Sequence, residues 1–112
     1  MFMKCYRKIL NILKTKFPEY RVSVRRVNLP ETLCGDCFMT NGKTKRREFL
    51  IRINNKLGEE LAIDTLVHEL AHVLAWDAPG DEHGAAWGRA YSRVYRIYLK
   101  EYVEAYNNDI FF

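Results

Sequence analysis

The sequence predicts one α+β domain, spanning residues 1–112, with elements in the order α-β-β-β-α-α. First, 112 residues suffice for one hydrophobic core and are too few for two. Second, an apolar content of 48% with 13% aromatic residues is typical of a packed globule rather than a disordered chain. Third, segments with helical periodicity flank three segments that alternate as strands do. We therefore expect a three-stranded sheet of antiparallel type, packed on the second helix.

The first two elements are a helix and a strand. Residues 2–16 keep apolar side chains at helical spacing, and Pro18 stops the helix. Residues 20–27 alternate apolar with polar side chains, which predicts a strand, and residues 28–30 break it.

The next two strands are predicted at 33–40 and 46–54, with Asn41-Gly42 as a hairpin signal between them. Apolar residues at alternate positions of the later strand predict that one of its faces is buried. The residues on that face are Phe49, Ile51 and Ile53.

The second helix is predicted from Glu59 to about Trp76 and is apolar nearly all round, so we expect it at the centre of the domain. Residues 77–80 end it. His68, Glu69 and His72 are then polar groups on a buried helix. Without partners their burial would cost several kcal/mol, at about 2 or more per group.

The last helix is predicted over about 85–106, with an inner face and a basic outer face. The inner face comprises Trp87, Ala90, Tyr91, Val94 and Tyr98, and the outer face carries Arg89, Arg93, Arg96 and Lys100.

The run from His68 to His72 reads His-Glu-x-x-His. Residues four apart lie one above the other on one face of a helix, so His68 and His72 can direct two imidazoles at one Zn²⁺. Glu69 can then reach a water on that ion. Two structural histidines with an incidental glutamate are the alternative, which a buried helix does not favour.

A catalytic zinc site takes three protein ligands and leaves a position for water. His83, the remaining histidine of the chain, is the preferred third ligand, since the last helix can fold back and return it to the ion. A metzincin would need a histidine at position 78, where the chain has Ala78, so that subclass is excluded. A glutamate ligand remains the alternative, and the candidates are Glu82, Glu101 and Glu104.

From Leu33 to Tyr95 the chain resembles the SprT-like zinc metallopeptidases, which include bacterial SprT proteins and the protease domain of Spartan. The resemblance rests on a strand, the histidine helix and a later His-Gly followed by Trp; the segments are Glu48–Ile53, Thr65–His72, His83-Gly84 and Trp87. Gly35–Cys37 and Trp87–Tyr91 are also similar to short phage-encoded forms. The resemblance implies a minimal zincin-like core, one Zn²⁺ held by the three histidines, and Glu69 as the catalytic residue.

The expected function is that of a zinc metalloendopeptidase acting on proteins or peptides, including DNA-associated proteins. Glu69 is expected to act as general base, and Tyr91 or Arg89 could stabilise the oxyanion. Strand 46–53 is expected to lie at an edge, where an extended substrate could pair with it. A zinc-stabilised binding module without activity and a nucleic-acid-associated accessory protein are the alternatives.

The formal charge of +4 has two interpretations. The basic residues beside the predicted hairpin turn could give weak, sequence-independent DNA binding, or they could form a solvated surface. They are Lys43, Lys45, Arg46 and Arg47.

Three cysteines and the absence of a signal-peptide pattern favour a cytoplasmic protein, in a host cytoplasm for a phage-encoded form. We expect a monomer without membrane association. Cys34 and Cys37 could suggest a second metal or a redox pair, but two plain structural cysteines are the preferred interpretation.

Overall fold

Three helices and a three-stranded sheet form the part of the chain that the computed structural model describes, which is residues 4–42, 47–78, 80 and 82–103. The fold is therefore α+β. In chain order the elements are α1 (Lys4–Lys16), β1 (Arg21–Val27), β2 (Gly35–Asn41), β3 (Glu48–Asn54), α2 (Glu59–Leu74) and α3 (Ala85–Tyr98), followed by a π-helical segment (Leu99–Val103).

The sheet is mixed, and the expectation of an antiparallel sheet is wrong. The order is β1-β3-β2, with β2 antiparallel and β1 parallel to β3. The antiparallel pairing of β2 with β3, the strands before and after Asn41-Gly42, is confirmed. Strand β1 does not pair with β2, its neighbour in the chain, but with the other edge of β3. Because β3 carries the most apolar face of the three strands, the central position shields it best.

The position of β3 also corrects the expected location of substrate pairing. The strand predicted at 46–53 was expected at an edge, whereas β3 has a hydrogen-bonded neighbour on both sides. Its backbone groups are therefore already paired. Within the described residues, β1 and β2 are the edge strands.

The helices differ from prediction mainly at their ends. Helix α2 ends at Leu74 rather than Trp76. The regular part of α3 ends at Tyr98, and the π-helical segment replaces the predicted continuation as far as Val103. Residues 104–106 of the predicted helix lie outside the described residues. No helix among the described residues is both long and apolar enough to cross a membrane.

Helix α2 is the centre of the core, as its all-round apolar pattern predicts. It packs against the sheet and against both other helices. Ala62 and Ala71 are fully buried on it, and small side chains there let its neighbours approach closely. Other core side chains come from α1 and the residue after it, from β3 and from α3; they are Tyr6, Ile9, Leu13, Phe17, Phe49, Ile51, Ile53 and Val94.

Asn54, at the end of β3, is a buried hub for the connection between β1 and β2. Its side chain is 2% exposed. Its Nδ2 donates to the carbonyl oxygens of Leu29, Pro30 and Leu33 at 3.0–3.3 Å, and its Oδ1 accepts from the backbone N–H of Lys56 at 3.1 Å. The side-chain amide therefore provides hydrogen-bond partners for backbone groups of the loop between β1 and β2, which crosses the end of the central strand.

We expect Asn54→Leu to lower the free energy of unfolding by about 2–4 kcal/mol, because several buried backbone groups lose their partner. Urea denaturation measures the change. Asn55→Ala is the matched control, since Asn55 is exposed and its contacts are made by its backbone. A loss below about 1 kcal/mol for Asn54→Leu would contradict the hub role.

Candidate metal centre

Two of the three histidines lie on one face of α2. His68 and His72 are four residues apart, and their Nε2 atoms are 3.2 Å from each other. The two rings are held 4.9 Å apart between centroids. Buried apolar side chains on the core-facing side of α2 fix the helix so that this face lines an open cavity. The helical spacing predicted from the sequence therefore produces a two-histidine face.

His83 reaches the same point from outside α2. It lies just before α3, whose first turn begins after Gly84. Its Nε2 is 3.3 Å from Nε2 of His68, and its ring centroid is 4.9 Å from that of His72. Ligand atoms of all three histidines lie within 4.8 Å of one another. The structure thus brings together the three predicted ligands.

Neither of the two described glutamates among the alternative ligands joins this cluster. Glu82 lines the cavity as an exposed side chain but lies outside the group of converging ligand atoms. Glu101 lies 3.3 Å from Nζ of Lys16 in an ion pair. Glu104 lies outside the described residues.

The cluster has the dimensions of a tetrahedral metal site. Zn–N bonds of about 2.0–2.1 Å at tetrahedral angles place neighbouring nitrogens about 3.3 Å apart. The separations of 3.2 and 3.3 Å agree with that value. Burial, together with the neighbouring imidazoles, lowers the pKa values of His68 and His72. Their neutral form, which is the one that ligates metals, is favoured. The donor set therefore fits a zinc ion.

Trp87 supports the cluster and was not predicted as a site residue. Its indole Nε1 donates to the backbone carbonyl of His68 at 3.3 Å. Its ring centroid lies 5.0 Å from the His68 and His83 rings and 5.6 Å from the His72 ring. The available sequence signal was its spacing, one helical turn after His83.

Glu69 is buried beside the histidines, with 7% of its surface exposed. Its Oε1 is 4.0 Å from Nε2 of His68, which is beyond hydrogen-bond distance, and the side chain lines the cavity. Burial, and then the negative charges of Asp36 and Glu82, raise the pKa of Glu69 to about 7. A cation at the histidines would act against this increase. The carboxyl group is thus placed to exchange a proton with a molecule in the cavity.

The cavity has a volume of about 640 Å³. Its walls come from β2 and the residues just before it, from α2, from the segment between α2 and α3, and from the start of α3. Strand β2 can pass close to α2 because residue 35 is glycine. A Cβ on Gly35 would lie 2.6 Å from the carbonyl oxygen of Arg52 and 2.7 Å from Cγ2 of Thr65. The glycine thereby brings Asp36 and Cys37 to the cavity wall.

Asp36 is a cavity residue that sequence reasoning did not identify as one. Arg52, its partner across the β2–β3 ladder, donates Nε to Oδ1 at 2.7 Å and Nη2 to Oδ2. The guanidinium also lies 5.0 Å from the ring centroid of Phe38. The position of this pair depends on the strand register, which the sequence pattern does not specify.

The structure places neither predicted oxyanion stabiliser among the residues that line the cavity. The hydroxyl of Tyr91 donates to Oδ1 of Asp64 at 3.1 Å, and its ring packs on Trp87. Arg89 is exposed. Both lie on α3 beyond the turn that carries Trp87, so this prediction receives no support from their positions.

Among the four basic residues proposed for DNA contact, Arg47 alone lies in the described part. Its Nη2 contacts a carboxylate oxygen of Asp77 in an ion pair. Lys43, Lys45 and Arg46 lie outside the described residues, so the predicted basic surface stays a prediction.

The three cysteines all lie in the described part of the chain, and none of them forms a disulfide. Cys34 is exposed, whereas Cys37 is half-buried on β2. Burial, followed by the charges of Glu69 and Asp36, raises the pKa of Cys37 to about 12. Reactive redox thiols have lowered pKa values instead. The geometry therefore favours structural cysteines over a redox pair.

We expect iodoacetamide at pH 8 to modify Cys34 first and Cys37 at least about thirtyfold more slowly, because thiolate is the reacting form. Mass spectrometry of peptides from metal-free protein measures both rates. Cys34→Ser removes the exposed thiol, and the separate peptides then distinguish the rate of Cys37 from that of Cys5. Equal rates for the two thiols would contradict the raised pKa.

Comparison with protein-family models gives a match to the SprT-like family over residues 2–108. Neither curated proteins nor solved structures gave a match. The matched residues include the three converging histidines, Glu69 and Trp87.

Proposed function

Because this chain belongs to the SprT-like family, we propose that it is a zinc-dependent metallopeptidase with a minimal zincin-like core. The observation that carries the proposal is the convergence of three imidazole nitrogens beside a buried carboxyl group in an open cavity. In this proposal His68, His72 and His83 hold the ion and Glu69 is the catalytic base.

When bound, zinc supplies a Lewis acid that lowers the pKa of its water toward about 7 and polarises the peptide carbonyl. The protein supplies the proton transfers. Glu69 accepts a proton from the attacking water and delivers it to the leaving amine. Its burial fixes the carboxyl group next to the histidines, and Trp87 supports the histidine face through its hydrogen bond to the backbone carbonyl of His68.

Strand β2 is the proposed partner of the substrate backbone. It is an edge strand within the described sheet, and its first residues, Gly35–Cys37, line the cavity. An extended polypeptide can therefore pair with β2 while one of its carbonyls reaches the histidines. Main-chain pairing of this kind gives little sequence preference.

The test combines metal analysis with digestion of an unfolded protein such as casein. The protein loaded with one equivalent of zinc is expected to cleave the substrate. A chelator is expected to abolish cleavage, and addition of zinc is expected to restore it. Zinc-loaded chain that cleaves none of several unfolded proteins, with or without DNA, would favour the zinc-stabilised binding module.

DNA association is a separate part of the proposal, and it is motivated by the basic residues at 43–47. We expect weak, sequence-independent binding whose affinity falls as salt rises. Fluorescence anisotropy of a labelled oligonucleotide measures it. Lys43→Gln with Lys45→Gln should weaken binding, whereas the matched pair Lys8→Gln with Lys14→Gln on α1 should not. Absence of binding at low salt would leave these charges as a solvated surface.

A further inference from the structure

A second concave site lies between α2 and α3. Its volume is about 220 Å³, and it shares no lining residue with the cavity at the histidines. Drug-sized ligands occupy pockets of roughly 300–1,000 Å³, so this site suits a single side chain. The residues that line it are Glu60, Ile63, Asp64, Val67, Tyr95 and Tyr98. We call it the tyrosine pocket.

Two aromatic rings form one wall of the tyrosine pocket. The centroids of Tyr95 and Tyr98 are 5.7 Å apart, and their planes are tilted by 54°. The ring of Tyr91 also stacks with that of Tyr95, with 5.9 Å between the centroids and an angle of 11° between the planes. Tyr95 is 39% exposed, so part of the ring is accessible from solvent. Aromatic faces carry negative potential and attract cations.

Two carboxylates form the opposite rim. Glu60 and Asp64 are exposed and stand one turn apart on α2. The hydroxyl of Tyr91 donates to Asp64 and orients it. Both carboxylates line the pocket together with Tyr98. Burial raises the pKa of Tyr98, and neighbouring charges that include Glu60 and Asp64 raise it further. No lysine or arginine is among the described residues that line the pocket. The rim is therefore complementary to a positive charge.

The floor of the pocket is apolar. Ile63 and Val67 are 6% and 1% exposed, and both belong to the core. An apolar floor below a negative rim matches an alkyl chain that ends in an ammonium group. A compact ammonium can approach both carboxylates, whereas a planar guanidinium is best matched by one carboxylate in a bidentate pair.

We propose that the tyrosine pocket binds the side chain of a lysine presented by a partner polypeptide. The alkyl stem lies on Ile63 and Val67, and the ammonium group sits between the tyrosine faces and the carboxylates of Glu60 and Asp64. This site is separate from the metal centre, and binding at it requires neither zinc nor peptide cleavage.

The test titrates the full chain with the capped peptide Gly-Gly-Lys-Gly-Gly and follows amide and tyrosine-ring NMR shifts. We expect saturable shifts centred on Ile63, Asp64 and Tyr95, with a dissociation constant in the millimolar range. The same peptide with acetyl-lysine should not bind. Equal binding of the acetylated peptide, or tighter binding of an arginine peptide, would overturn the assignment.

Substitutions separate the contribution of the aromatic rings to binding from that of the carboxylates. Tyr95→Ala and Glu60→Gln should each weaken binding about fivefold, since each removes one interaction with the cation. Tyr95→Phe should retain binding, because the ring face remains. Glu59→Gln is the matched control for charge, since it removes a neighbouring carboxylate that does not line the pocket. Equal effects of Glu59→Gln and Glu60→Gln would mean that the peptide is attracted by the general negative charge of this surface and not by the pocket, which would overturn the proposal.

Discussion

Replacing Glu69 with glutamine is expected to lower the rate of peptide cleavage about a hundredfold or more, while zinc binding survives. Glutamine keeps the shape of the buried side chain but cannot accept the proton of the attacking water. Glu69 itself lies outside the cluster of converging ligand atoms, so the ion should stay in place. Zinc content and initial rates of casein cleavage, measured on the same preparation, separate the two effects.

Glu82→Gln is the matched control for this variant. Glu82 also lines the cavity and carries the same charge, but it is exposed on the segment before His83. The substitution should change the cleavage rate by less than about tenfold, because it removes a solvent-screened negative charge near the site and not the group that accepts the proton. If Glu82→Gln were as damaging as Glu69→Gln, the general-base role would not belong to Glu69.

The second large effect is expected for His83→Ala, which removes one of the three converging ligands. We expect zinc affinity to fall by more than about a hundredfold, beyond the loss seen when a supporting partner of a ligand is removed. The stabilisation given by excess zinc should then fall by about 2.7 kcal/mol or more. Isothermal titration and the melting temperature with and without zinc measure the two quantities.

The control for His83→Ala is Glu82→Ala, which changes the neighbouring position without removing a converging nitrogen. His83 is exposed, so its loss should leave the metal-free fold intact, as circular dichroism would show. Full zinc occupancy in His83→Ala would mean that the third ligand is elsewhere, and Glu82, which lines the cavity beside His83 in the chain, would be the first candidate to test.

Local periodicity was sufficient to predict the part of the site that lies on one helix. His68, Glu69 and His72 are related by helical spacing alone. His83 could be predicted because the chain offers no other histidine. Asp36 could not, because its position on the cavity wall depends on how β2 aligns with β3 and on how closely Gly35 lets it approach α2.

The pairing of β1 illustrates the same limit for the fold. Alternation of side chains predicted that residues 20–27 form a strand, but it contains no information about the neighbour. Burial of β3 decided the neighbour, because a central position protects Phe49, Ile51 and Ile53 on a strand shielded along both edges. Because β3 is central, the sheet edge beside the cavity that is available to a substrate belongs to β2 and not to β3.

The parallel pairing of β1 with β3 has a consequence for the order in which the protein is made. Arg21 pairs with Glu48, so the partner of β1 is synthesised 27 residues later. At roughly 5–20 residues per second, β1 waits about 1–5 s on the ribosome before its partner exists. Helix α2 follows β3 directly in the chain. The two helical histidines therefore emerge after the strand that completes the sheet, and they lie on the helix against which that sheet packs, so completion of the core and formation of the histidine face depend on the same late element.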